Sequence, residues 1–516
     1  MTASASRDSE VLIVGAGPTG LVLALWLTRL GVRVRIVDKT DQPGTTSRAL
    51  AVQPRTLEFY RQFGFADAVV ARGRAIGAVN LWVSAKKSAH VPIGEMGKGL
   101  SPYPMPLIYP QDEHERMLID RLRELGVEVE RQTELIDFDD EADGIRARLR
   151  GHDGAEEAYR AAYIAGCDGG HSTVRQKLRI GFPGGAYDHL YYVADVNAHG
   201  QVLNGEIHVG LDREDFLALF PLKDEGCARL VGTVRDDLHG REDLSWDDVR
   251  TTVAKWMRIE VERVNWFSTY RVHHRVANHF GVGRAFILGD AAHVHSPVGG
   301  QGMNTGIGDA VNLAWKLASV LRGRADADLL ATYEPERMAF AQRLVETTDR
   351  AFTGVVSSSE IALLFRLRLV PRLLPGLLRI PAARRFFFRT VSQTGVNYRR
   401  SALSVGHLGD VQGGDRLPWV PTDSSDPKDD NFAPLRSLDW QVHVYGKAAS
   451  EIEQICAERK LELHVFPWRS AIKRAGLNRN AIYLLRPDGY IAMVDAEAKA
   501  ASISKYLVEK KIAPLR

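Results

Sequence analysis

Cysteine is scarce in this chain: Cys167, Cys227 and Cys456 are few, odd in number and far apart. That spacing excludes a zinc knuckle and fits a reducing compartment. An excess of one charge is also missing. Lys and Arg number 67 against 64 Asp and Glu, a formal net charge of +3, so nothing global points to nucleic acid or an acidic surface as partner. No uncharged apolar stretch reaches the roughly 18 residues of a membrane span. The opening MTASASRDSE lacks the apolar run of a signal peptide. The expectation is a cytoplasmic protein with no stable membrane insertion and no metal site. Internal repeats and low-complexity tracts are absent.

What is present is a chain of 516 residues, 45% hydrophobic and 25% charged, long enough for two to four domains at roughly 100–200 residues each. Its first forty residues read as βαβ. The strand VLIV is followed by Gly15–Ala–Gly17–Pro18–Thr19–Gly20, then the apolar run LVLALWLTRL, Gly31 past the helix end, and VRVRIV closing at Asp38 and Lys39. Gly15 suits a tight turn, Gly17 lets backbone approach a pyrophosphate, and Gly20 lets helix and strand pack closely. The helix N-terminus favours the phosphate. Asp38 stands 18 residues beyond Gly20, near the spacing of about 20 expected of a ribose-binding acid. The motif predicts a bound dinucleotide without choosing between FAD and NAD.

Two later blocks add to it. Cys167–Asp168–Gly169–Gly170, followed by Ser172, Val174 and Arg175, reads as a turn between a strand and a helix. Gly289–Asp290–Ala–Ala–His293–Val–His295–Ser–Pro297, then Gly299–Gly300–Gln301–Gly302–Met303–Asn304, reads as a strand ending in an acid and a Gly-rich turn opening a helix. A carboxylate there suits a polyol hydroxyl, and a helix N-terminus suits an anionic ring. Between these blocks the pattern alternates. FLALFPL (216–222) and CARLVGTV (227–234) flank KDEG as a hairpin, so 181–280 reads as an antiparallel insertion. Residues 340–400 read as basic helices broken by Pro371, Pro375 and Pro381, and 410–436 as a linker. The last eighty residues read as strand, helix, strand, a hairpin around Pro487–Asp488–Gly489, and a closing helix.

Together GAGPTG, SRALAVQPRTLEF, CDGGHSTVR and GDAAHVHSPVGGQGMNTGIGDAVNLAWKL resemble the group A flavoprotein monooxygenases, the single-component aromatic hydroxylases. GGDRLPW and LLRPDGYIAM resemble their longer members: phenol, hydroxyphenylpropionate, polyketide and rifampicin hydroxylases. The resemblance implies an α/β architecture with a Rossmann-like FAD-binding domain of the glutathione-reductase type (1–180 and 281–350). A substrate domain of antiparallel sheet (181–280, helped by part of 75–110) is inserted in it. A helical region and linker (351–430) and a thioredoxin-like domain (431–516) follow. The last has no CxxC pair, which argues against redox work there.

It also implies residue roles. Gly15, Gly17, Pro18, Thr19 and Gly20 would hold the FAD pyrophosphate, with Asp38 and Lys39 near the adenosine ribose. Arg48 would lie over the pyrophosphate or flavin, and Gln111 by the ribityl side. Asp168 and Gly169 would serve FAD, and Gly289 with Asp290 the ribityl chain. Pro297, Gly300, Gly302, Met303 and Asn304 would line the isoalloxazine ring. Asp38 departs from the family, where many members carry Glu. The implied reaction is reduction of FAD by NADPH or NADH, addition of O2 to give a C4a-hydroperoxide, and hydroxylation of a phenolic substrate. Candidates for a base that makes the phenolate are His293, His295, His274 and Tyr270. Candidate substrate walls are Tyr191, Phe216, Leu219 and Phe220. The expected assembly is a homodimer. A flavin-dependent halogenase is the alternative on this fold, but the tryptophans show no WxWxIP pairing. Another FAD oxidoreductase, or a non-catalytic FAD-binding protein, completes the alternatives.

Overall fold

The computed structural model describes residues 9–44, 49–211, 216–238, 241, 243–296, 299–356, 363–421 and 429–514. Its organising element is a six-stranded sheet. Strand β1 (Val11–Val14) lies between β2 (Val34–Val37) and β4 (Tyr163–Gly166). Beyond β2 is the short β3 (Val129–Glu130), and beyond β4 is β5 (Ala285–Ile287), all parallel. β1 and β5 are buried along their whole length, as expected of a parallel sheet covered on both faces. Helix α1 (Pro18–Arg29) covers one face and packs on α2 (Gly302–Leu321), whose residues are buried from Asn304 to Ser319. Because β1, β4 and β5 are parallel neighbours, their carboxyl ends, about 5 Å apart in the sheet, lie along one edge.

The alternating region forms an eight-stranded sheet. Its long strands Gly184–His199 and Glu260–Val276 are antiparallel, and Phe216–Pro221 pairs with Cys227–Thr233 as the hairpin pattern predicts. Strands Ala78–Val83 and Lys86–Pro92 extend it at one edge. His293–Val294, just past β5, pairs with Val276 and Arg275 at the other. The inserted sheet is thereby attached at the carboxyl edge of the parallel one.

Side chains alternate across that sheet. Leu217, Leu219, Leu230, Tyr192 and Ala194 face the helix Trp246–Met257 and form a core with Val253 and Trp256. Phe220 and Arg229 face the other way, toward Leu50 and Ala49. This corrects one expectation. Leu219 cannot wall a site together with Phe216 and Phe220, because odd and even positions point to opposite faces; it is fully buried in the helix-side core.

The stretch read as a linker is also corrected. Leu417, Val420, Phe432 and Leu435 are buried in one cluster. Arg416 Nε donates to Glu58 at 2.8 Å, and Arg61 pairs with Asp430 at 2.7 Å. Among the described residues of that stretch, Asp415, Arg416 and Asp430 are ion-pair partners. At the C-terminus, four strands run in the order Glu462–Phe466, Gln441–Tyr445, Ile482–Leu485, Ile491–Asp495. The first pair is parallel and the others antiparallel. This unit is bolted to α2 by charge. Arg486 binds both oxygens of Glu336 at 2.8 and 3.0 Å, Lys316 Nζ reaches the same carboxylate at 2.9 Å, and Trp315 Nε1 donates to Asp488. All of these side chains are buried.

Burial opposes ionisation of Glu336, but Arg486 and Lys316 outweigh it and hold its carboxyl far below the usual range. Neutralising this carboxylate leaves buried Lys316 without a charged partner and Arg486 with Asp488 alone. Glu336→Gln is therefore expected to lower unfolding free energy by about 3–5 kcal/mol in urea denaturation. Lys511→Gln, which breaks an exposed pair with Asp326, is expected to cost under about 1 kcal/mol.

Candidate functional site

Three turns meet at the carboxyl edge. After β1 the chain must reverse directly into α1. Gly15 does this with φ +102°, and a Cβ there would lie 2.3 Å from the Cys167 carbonyl oxygen. A Cβ on Gly20 would lie 2.0 Å from the Gly15 carbonyl oxygen, so this glycine is a packing contact. Gly17 differs: a Cβ there meets nothing within 4 Å. It is the N-cap of α1, with Pro18 at the first helical position, so backbone N–H groups border open space. Asp38, at the end of β2, accepts from the Ala16 N–H at 2.7 Å and from the Thr40 N–H and hydroxyl, which holds its carboxylate beside the turn. Lys39 is exposed next to it.

After β4, Asp168 Oδ2 accepts from the Thr173 and Val174 N–H groups, while Oδ1 is buried with no partner. Burial pushes this carboxyl's pKa up. Gly169 has φ +77° and, like Gly17, faces open space. After β5, Gly289 takes φ +58° where a Cβ would lie 2.7 Å from Thr19 Oγ1, and Asp290 is exposed in the turn. The Gly289 N–H donates to Asp309 Oδ2, which also holds His293 Nε2 at 2.7 Å; Arg337 Nε donates to Asp309 Oδ1 at 2.6 Å. Burial disfavours the Asp309 carboxylate, yet Arg337 and His293 keep it ionised. His293 is thus corrected from candidate base to a strut of the turn, since its side chain is 1% exposed and its Nε2 is engaged.

The helix that follows starts where expected, and its own hydrogen-bond ladder begins at Thr305 N–H to Gln301 O, leaving Gly302, Met303 and Asn304 with their N–H groups at its N-terminus. The Asn304 side chain is spent inward: Oδ1 accepts from the Gln53 N–H and Thr56, and Nδ2 donates to Ala51 O and Gly300 O. Any contact of Asn304 with a ligand is through its backbone. Gly300 has φ +62° with Ala51 close by, and Met303 packs on the core beneath. Gln111 donates from Nε2 to Glu115 at the start of its helix. Arg48 and Pro297 lie outside the described residues.

His295 is arranged differently from His293. Its Nδ1 lies 2.8 Å from the Ser296 carbonyl oxygen. A carbonyl only accepts, so Nδ1 carries the proton and Nε2 presents a lone pair. Nε2 is buried 3.8 Å from where a Cβ on Gly302 would sit, and neither it nor the buried Ser296 Oγ has a partner among the described residues. Burial, helped by neighbouring His293, pushes the imidazole pKa down to about 4. On the inserted sheet, Tyr191 lies directly across from Tyr270 with ring centroids 5.9 Å apart, and the His274 ring lies 4.9 Å from that of Tyr187, tilted by 60°. Phe216 and Phe220 are half-buried two strands from Tyr191, with Cys227–Thr233 between.

The structure adds residues that the sequence reading missed. Asp195 and Arg229 form a two-point pair at 2.7 Å on the face turned toward Ala49, with Arg229 3% exposed. The available signal was a charge of each sign inside otherwise apolar strands, YYVADV and CARLVG. Asp309 was likewise visible as a charge within an apolar helical run, whereas Arg337, in YEPERMAF, carried no such signal.

The open space at Gly17 and Gly169, the orphaned Asp168 Oδ1 and the two helix N-termini fit an extended ligand with phosphate, polyol and a polar ring. A family model described as "FAD binding domain" matches residues 8–348. The chain belongs to the FAD-dependent aromatic monooxygenases. It is 39% identical over 359 residues to 6-methylpretetramide 4-monooxygenase of Streptomyces rimosus, covering 68% of this chain and 63% of that enzyme. It is 31% identical to a flavin-dependent monooxygenase of Mycobacteroides abscessus, covering 96% and 99%. Among solved structures, the anhydrotetracycline hydroxylase OxyS of S. rimosus superposes with TM-score 0.78 at 27% identity, covering 97% of this chain and 98% of that one.

Two outcomes follow from the site geometry. Gly17→Val fills the open cradle and is expected to weaken FAD retention at least about tenfold, or 1.4 kcal/mol, with an unchanged circular dichroism spectrum; Gly20→Ala is expected to lower the thermal midpoint itself. For His295, a folded pKa below the ordinary 6.5 keeps the ring neutral as pH falls, until about 4. Nitrogen NMR of labelled histidine is expected to show the neutral Nδ1–H form from about pH 5 to about pH 8; a midpoint near the ordinary value would contradict the assignment.

Proposed function

We propose that this monooxygenase hydroxylates a phenolic ring, using NADPH or NADH as reductant and O2 as oxygen source. The observation that carries the reading is the convergence of the β1, β4 and β5 turns on one edge, where the inserted sheet is attached through His293–Val294. Bound FAD would supply reducing equivalents and activated oxygen that a phenolic carbon can capture. Gly17, Asp38, Asp168, Asp290 and the N-terminus of α2 would hold it.

The chain's own residues would do the rest. The Tyr191–Tyr270 face and half-buried Phe216 and Phe220 would stack on an aromatic substrate and keep water away. Neutral His295 would accept a hydrogen bond from the phenolic hydroxyl at Nε2, since its Nδ1 proton is already committed to Ser296 O. The names of the tetracycline-pathway relatives support a fused polycyclic phenol over a single ring. The C-terminal unit is read as thioredoxin-like. Its strand order and its parallel and antiparallel pairings support this, and its only cysteine, Cys456, is buried, which leaves it a packing role.

The test is consumption of NADPH and NADH with a panel of mono- and polycyclic phenols under labelled oxygen. The expected result is substrate-stimulated oxidation with one labelled oxygen in the product. Oxidation that yields only hydrogen peroxide with every phenol would overturn the proposal.

A further inference from the structure

Fourteen large hydrophobic residues stand exposed among the described residues, and eight of them lie between 364 and 387: Leu364, Phe365, Leu369, Leu373, Leu377, Ile380, Phe386 and Phe387. The concentration has a geometry. Phe365, Leu369, Leu373 and Leu377 follow one another at intervals of four along the helical run of Phe365–Leu369 and Val370–Leu377, so they form one stripe. Exposures run from 41% at Leu369 to 60% at Leu373, and Phe386 on the next helix, Pro381–Val391, reaches 75%. The opposite side is anchored: Leu378 and Phe388 are buried with Val91 and Met96 at the edge of the inserted sheet. This face is presented outward by a segment that is itself fixed.

The charge carried by the segment itself has one sign. Arg368, Arg372, Arg379, Arg384, Arg385 and Arg389 are exposed, and among the described residues none of them is in an ion pair. The sequence contains no Asp or Glu from Ile361 to Gly409. Solvated helical faces ordinarily mix signs; a face of exposed Leu and Phe flanked only by unpaired Arg is built for something both apolar and anionic. A second copy of this chain meets that need poorly. A two-fold interface places the same patch on both sides and would bring twelve unpaired guanidinium groups together. A stripe of thirteen residues is about 20 Å long, too short to cross a bilayer, and among the described residues no helix is long and apolar enough to do so.

We propose that residues 364–389 dock the enzyme on the surface of an anionic lipid bilayer. Leu and Phe of the stripe would sit at the level of the acyl boundary and the arginines among the phosphates, whose negative charge attracts each of them. The segment is continuous with the candidate site. The Val391 carbonyl accepts from Gln301 Nε2 at 2.7 Å, and Gln393 Nε2 donates to Gln301 Oε1 at 2.8 Å, at the N-terminus of α2. Docking there would hold the edge of the substrate sheet against the phase in which an apolar aromatic compound accumulates.

The test is co-sedimentation of the FAD-loaded full chain with phosphatidylcholine vesicles, plain or doped with phosphatidylglycerol. Binding to the doped vesicles is expected to be at least about tenfold tighter and to weaken as salt is raised. The variants Leu373→Ser and Arg368→Gln/Arg372→Gln/Arg379→Gln are expected to lose it while keeping bound FAD and thermal midpoint. Absence of binding to doped vesicles at low salt would overturn the proposal. So would a dimer in light scattering that Leu373→Asp converts to monomer, which would give the stripe to a second copy.

Discussion

Two adjacent side chains on one helix, Glu336 and Arg337, hold this molecule together around its site. Glu336 faces the C-terminal unit and takes both nitrogens of Arg486 along with Lys316. Arg337 faces the nucleotide-binding sheet and takes Asp309, which in turn fixes the Gly289 N–H and His293. All are buried, so each charge is tolerable only while its partner is present. The turn after β5 is therefore braced from behind by ion pairs that also lock the C-terminal unit to α2. Arg486 of that unit lies one residue pair away from the residues that shape the site.

The inserted sheet divides its labour by face. One face buries Leu217, Leu219 and Leu230 under a helix and makes the domain stable. The other carries Tyr191, Tyr270, Asp195, Arg229 and Phe220, turned toward the nucleotide-binding part. A period of two makes this division automatic, so a single register fixes both the core and the candidate substrate surface. The Asp195–Arg229 pair joins a buried guanidinium to a half-buried carboxylate by two short bonds, with Arg229 also reaching Ala49 O.

The basic segment follows the same logic in reverse. Phe388 and Leu378 face inward, Leu373 and Phe386 outward. Its end at Val391–Gln393 reaches Gln301, so a surface element and the start of α2 share hydrogen bonds. Two histidines only two residues apart, His293 and His295, diverge for a comparable reason. One meets a carboxylate and becomes structural; the other meets a carbonyl and keeps a free lone pair.

Much of this was legible in the chain alone. Glycine spacing, strand and helix periodicity and the acid after β2 determined the βαβ unit, the antiparallel insertion and the dinucleotide reading, because turns that need φ above zero or close backbone approach restrict the residue type locally. Tertiary structure alone decided which histidine is free, that Leu219 faces a core, that Asn304 turns inward and that 411–421 is packed. It also revealed Asp309–Arg337 and Glu336–Arg486. These depend on partners between 28 and 150 residues away in the chain, and no local pattern can say which buried charge will meet which.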